Sequence, residues 1–177
     1  QFTPATASEQ QLAYRNTLAS FVSDEHDRIT TDAGAASRKL LHRDRDAALS
    51  YLSEKLGTTP TLPGDSAEAT LLLGCGGCRV PQTDAAGHMQ FSVQPESGGE
   101  PVVVSVFIAA GEQMLGLEPG LTYEIQTPEL ARSYCKLYAW TDGTLTYLLV
   151  SDCPKNAEAC SITLLKAMDL PEPSRSL

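Results

Sequence analysis

The sequence predicts an α+β protein: a helical N-terminal part, an antiparallel sheet of four to six strands and a C-terminal helix. Three observations predict it. Apolar residues recur at helical spacing ahead of residue 57 and again after residue 153. Between those segments, alternating and β-branched runs take over. An Asp142-Gly143 pair flanked by two such runs marks a hairpin. At 177 residues the chain is long enough to bury about 70% of its unfolded surface as one domain. We divide it into a helical lead-in (1–57), a connector (58–69), a sheet region (70–152) and a closing helix (153–170).

Each element has a local reason. Ser8, followed three residues later by Gln11, has the pattern of a capping box. Behind it Tyr14, Leu18, Phe21, Val22 and Ile29 form a helical stripe, which predicts a helix over about 8–30. Thr31-Asp32-Ala33-Gly34 breaks that helix. Asp44 then caps a second one, striped by Ala48, Leu49, Leu52 and Leu56 and closed by Gly57. The stretch after Gly57 is rich in Pro, Gly and Thr and has no period, so it reads as a connector.

In the sheet region Met89, Phe91 and Val93 alternate with His88, Gln90, Ser92 and Gln94, which predicts a strand with one dry and one wet face. A turn at PESGGE returns the chain as the strand PVVVSVFIA. In the second hairpin a two-residue loop would place Trp140 opposite Leu145 and Tyr138 opposite Tyr147, an aromatic surface that needs a cover. Ala159, Ile162, Leu165 and Met168, between Pro154 and Pro171, predict the closing helix.

Charge and hydropathy remove whole classes of partner. Thirteen Lys and Arg against 22 Asp and Glu leave a net charge of −9, which repels nucleic acid and anionic lipid surfaces. The short basic cluster from Arg38 to Arg45 reads as a solvated helix entrance. The longest apolar run, around Pro101 to Ala109, falls short of a membrane span. A first residue of Gln in place of Met predicts a leader that has been removed, or a domain cut from a longer, membrane-tethered protein.

The five cysteines, Cys75, Cys78, Cys135, Cys153 and Cys160, predict an oxidising, extracytoplasmic compartment, with their odd number leaving at least one thiol over. Cys75-Gly76-Gly77-Cys78 lacks the helix that would activate a redox dithiol, and Arg79 stands where a cytochrome attachment site needs His. The expected reading is a strand-to-turn bend in which the pair forms a local staple. Simple disulfides from Cys135 to Cys153 or from Cys153 to Cys160 would fasten strand and helix ends. The alternative is a periplasmic thiol-redox or metal-binding module on Cys75 and Cys78, with Cys153 and Cys160 completing a four-thiolate site.

The histidines add no metal site. His26, among Asp24, Glu25 and Asp27, reads as part of a solvated helix face, and His88 and Met89 point to opposite faces of their strand. No nucleophile elbow, phosphate loop, dinucleotide fingerprint or zinc-protease helix occurs, so no catalytic residue, cofactor or metal is expected. A hydrolase built on the concave face of the sheet is the remaining enzymatic reading.

The order of these elements resembles the extracytoplasmic domain of the transmembrane anti-sigma factor family. The segments that carry the resemblance are YLSEKLGTTPTLP, LLLGCGGCRVP, GHMQFSV, PVVVSVFIA and WTDGTLTYLLVS, spread over about residues 20 to 168. The resemblance implies a non-enzymatic regulatory or sensor domain that receives an envelope signal or a protein partner, reaches the membrane only through a tether, and carries no catalytic residue. The cysteines belong to no motif that it would require.

Overall fold

The computed structural model describes residues 6–63, 70–96, 98–111, 115–128, 130, 136–151 and 157–177, with residues 157–160 described by their backbone alone. Helix α1 spans Ala7–Thr31. Its cap is Thr6 and not the expected Ser8: the Thr6 hydroxyl accepts from Glu9 N at 3.2 Å, and Thr6 N donates to the Glu9 carboxylate at 2.7 Å. Asp32 ends α1 and at once starts a short helix α2 (Ala33–Lys39), its carboxylate accepting from Ala35 N at 3.0 Å. The predicted break is therefore an elbow between two helices. Helix α3 (Arg45–Leu56) begins and ends as expected, at Asp44 and at a left-handed Gly57 with φ 74°.

The sheet is larger than predicted, with seven strands among the described residues in the order β1-β2-β3-β6-β5-β4-β7. Strands β1 (Thr70–Cys78), β2 (Ala85–Val93) and β3 (Val102–Ala110) form an antiparallel meander, and β6 (Leu145–Ser151) and β5 (Lys136–Thr141) continue it. Two short strands were not foreseen: β4 (Tyr123–Ile125) and β7 (Arg175–Ser176), which pairs parallel to β4 and makes the sheet mixed. Strands of two or three residues carry no readable period, and β7 lies beyond the closing helix α4 (Ala157–Ala167).

Helices lie on both faces of the sheet. On one face α1 covers a core of Leu18, Val22, Phe107, Leu137, Leu148 and Val150. On the other, α3 and α4 cover Met89, Val106, Tyr138, Trp140, Tyr147 and Leu149. The central strands β3 and β6 are buried on both faces, which is why they read as continuous apolar runs.

The second hairpin pairs Trp140 with Tyr147 and Tyr138 with Leu149, two residues away from the expected register. Its loop is longer than a two-residue turn because the Asp142 carboxylate accepts from both Thr144 N (2.8 Å) and Leu145 N (2.7 Å). The shift is even, so every side chain keeps its face. Trp140 and Tyr147 stack at 5.2 Å, and the connector covers them through Leu62 and through Thr61 N, which donates to the Tyr147 hydroxyl at 3.0 Å.

Candidate functional site

Cys75 and Cys78 lie inside β1 and not in a bend, three residues apart and hence on opposite faces of the sheet. Cys75 packs in the core under α3 and Cys78 against the core under α1. Both are free thiols, so the expected staple between them does not form. Cys135 and Cys153 lie outside the described residues, as does the side chain of Cys160. Among the described residues no group of three His, Cys, Asp or Glu side chains could hold a metal.

Burial pushes the Cys75 thiol up to about 12, with the neighbouring Cys78 adding to the shift. Burial likewise raises Cys78 to about 11, against the opposing pull of Lys39 and Lys55. Thiolates are the reactive form, so both sulfurs are held back near neutral pH, Cys75 most of all. Site-resolved labelling with iodoacetamide at pH 7.5 should leave Cys75 unmodified over hours and label Cys78 slowly, with both reacting at once in denaturant. Fast native labelling of Cys75 would contradict the strand geometry.

What the Cys-Gly-Gly-Cys stretch provides is close approach. A Cβ on Gly76 would meet the Lys39 carbonyl oxygen at 1.8 Å, and one on Gly77, on the other face, would meet the Tyr51 hydroxyl at 2.7 Å. The segment leaving α2 thus runs against bare backbone, where His42 and Cys75 exchange hydrogen bonds of 3.1 and 2.8 Å across the edge of β1. Lys39, at the end of α2, reaches back to the Glu25 carboxylate on α1, which also takes Arg28. The α1–α2 elbow is held on the sheet by these contacts.

Behind the elbow lies a fully buried polar cluster. The Ser105 hydroxyl on β3 is 2.7 Å from His26 Nδ1 on α1 and 2.9 Å from His88 Nε2 on β2, and it accepts from Gln90 Nε2 at 3.2 Å. His88 stacks on Phe107 at 4.2 Å and 11°. The expected wet face of β2 is therefore buried, and the expected solvated His26 points inward. Alternation reports polarity, not exposure: His88 and Gln90 are hydrogen-bonded to Ser105 beneath α1.

A hydroxyl has one proton and two lone pairs. With Gln90 donating, Ser105 donates to one imidazole and accepts from the other, so its hydrogen-bonding capacity is full. One added proton can be housed on the ring that donates, whereas two would aim three N–H groups at one oxygen. Burial holds His88 well below the ordinary histidine value, with Lys39, His26 and Arg28 pushing the same way. The unfolded chain takes up this proton near pH 6.5 and the folded chain only at lower pH, so stability falls as pH drops below about 6.5. Unfolding free energies from urea titrations at pH 7 and pH 5 should differ by more in the wild type than in His88→Gln, with a slope of at most about 1.4 kcal/mol per pH unit below pH 6.5 for this one group. Equal differences would show that His88 titrates normally.

The cluster ends at a cleft of about 340 Å³ between the elbow and strands β1 to β3. Gln90 and Thr30 stand on the cluster side, with Gln90 Nε2 also 3.4 Å from the Thr30 hydroxyl. Leu73, Val103, Ala33 and Ala36 supply apolar walls, and Arg43 and Ser37 complete the lining. A volume at the low end of small-molecule sites, apolar walls and a few placed polar groups are the features of a ligand pocket. Ser105 resembles a nucleophile beside a base, but it is wholly buried and its lone pairs are taken, so it cannot reach a substrate.

Comparison with known protein families, with curated proteins and with solved structures finds no match. None of the cleft residues was singled out as a site from sequence. One signal was present: His26 sits in register with Leu18, Val22 and Ile29 on the buried stripe of α1, where a histidine must find a buried partner.

Proposed function

We propose that this chain is a non-enzymatic extracytoplasmic sensor domain, similar to the outer portion of a membrane-bound anti-sigma factor, and that the cleft at the α1–α2 elbow receives its signal. The observation that carries this reading is the position of the cleft, with the long helix α1 and the short helix α2 on one side and the edge of the sheet on the other. A ligand or protein segment seated there touches elements that are linked by, among other contacts, the Lys39–Glu25 pair, the Gly74–Gly76 crossing and the His26–Ser105 bond. If it prefers one setting of the elbow to another, it shifts the population of that setting by its difference in affinity. Exported placement and a tether that passes the change to a sigma-binding segment belong to the same reading.

Support also comes from what the chain offers chemically. Among the described residues, burial keeps the Cys75 and Cys78 thiols from ionising readily, and the Ser–His arrangement is sealed. No helix among the described residues is long and apolar enough to cross a membrane, so the reading requires a spanning helix encoded elsewhere in the gene. The test is a topology fusion to the full-length gene product. Alkaline phosphatase placed after Leu177 should be active, and the reading frame should encode a membrane helix and a sigma-binding segment. An inactive fusion, or a gene with neither element, overturns the proposal.

A further inference from the structure

We infer that the elbow cleft binds a small amphiphilic monocarboxylate, its carboxylate on Arg43, its alkyl body along Leu73 and Val103, and a hydroxyl at the carboxamide oxygen of Gln90. The inference rests on the reading of this cleft as the receiving site and adds the chemistry of what it receives. Two observations independent of the cleft's shape point to a ligand.

The first is Gln90. It is only 3% exposed, and its amide nitrogen is spent on Ser105 and Thr30. Its Oε1 has no hydrogen-bond partner among the described residues, and the residue lines the cleft. A carbonyl acceptor with no protein partner, on a largely buried residue that lines the cleft, can take an incoming donor such as a hydroxyl. The second is Arg43. Among the nearby cations Lys39 and Arg28 share Glu25, whereas Arg43 has no ion pair or hydrogen bond among the described residues and stands exposed on the cleft lining. A guanidinium holds a carboxylate with two parallel hydrogen bonds. With Arg43 the only Lys or Arg on the described cleft lining, in a chain of net charge −9, the site suits a single negative charge and disfavours a phosphate dianion. The apolar walls between these two groups exclude a fully polar ligand and call for a hydrocarbon body.

The test is calorimetric titration of the intact chain with four matched probes: ω-hydroxyoctanoate, octanoate, octanol and octylamine. The hydroxy acid should bind tightest, octanoate about tenfold more weakly for loss of one hydrogen bond, and octylamine without measurable heat. Arg43→Gln should weaken both acids about tenfold and leave octanol unchanged. Gln90→Met should erase the advantage of the hydroxy acid and leave octanoate as it was. Val103→Trp, which fills the cleft from a half-buried position, should abolish all binding; an unchanged melting profile for Arg43→Gln and Val103→Trp excludes misfolding. If octanol or octylamine binds as well as the acids, or Arg43→Gln has no effect on them, the assignment of a carboxylate fails while the cleft keeps its receiving role. If none of the four binds, or Val103→Trp binds as the wild type does, the receiving role of the cleft falls with it.

Discussion

Gly76→Ala is expected to cost about 3 kcal/mol of folding stability, at the upper end of what overpacking costs. The added methyl would stand 1.8 Å from the carbonyl oxygen and 2.9 Å from the carbonyl carbon of Lys39, and both are backbone atoms that cannot rotate away. Relief requires the segment 39–42 to lift off β1. That movement breaks the paired hydrogen bonds between His42 and Cys75 and draws Leu40 out of the cleft lining. Gly34→Ala is the matched control in the same neighbourhood, since it lies inside α2 and its methyl would meet only the ends of the Arg38 and Asp32 side chains at 3.2 Å. Alanine there should be neutral or stabilising by up to about 1 kcal/mol. Urea denaturation of the two variants checks the pair. Equal stability for Gly76→Ala and the wild type would mean that the elbow does not cross β1 as described.

Phe107→Ala should cost about 3–5 kcal/mol, the range for emptying a buried aromatic site. Phe107 is fully buried, stacks on His88 and meets Phe21 of α1 edge-on at 6.1 Å and 67°. Its loss removes the contact that seats α1 on the sheet and the ring that shields one face of His88. The wild-type excess in acid sensitivity over His88→Gln should shrink in this background, because a His88 that water can reach is less strongly held neutral. A loss below about 1.5 kcal/mol would show that α1 is seated mainly by its aliphatic stripe and not through Phe107.

Local elements were legible where the signal was local. Asp44 and Gly57 bracket α3 because a side-chain cap and a left-handed glycine act within one turn of where they stand. The hairpin of β2 and β3 follows from period two and the turn at PESGGE. The cap of α1 was misplaced because Thr6-x-x-Glu9 and Ser8-x-x-Gln11 offer nearly the same pattern, and the box closes on Thr6. The register of the second hairpin was misread because the Asp142 carboxylate, and not its backbone preference alone, sets the loop.

The candidate site was hidden for a different reason. His26 and Ser105 are 79 residues apart, and Ser105 and His88 are 17 apart. The antiparallel register does set Gln90 opposite Ser105, so a correct hairpin implies that neighbour pair. Nothing local says that α1 lies over it. A polar residue that alternates with apolar ones looks the same whether water or a helix covers it.

By itself the sequence determined the class of the fold, the ends of α3, the central hairpins and the acidic surface, because each rests on interactions within a few residues or on summed charge. Only the tertiary structure decided that Cys75 and Cys78 face apart, that two glycines between them admit Lys39 and Tyr51, and that a helix closes over His88 and Ser105 to leave a cleft at its elbow. Those outcomes depend on which face of a strand meets which helix, and that choice is made by burial summed over the whole chain.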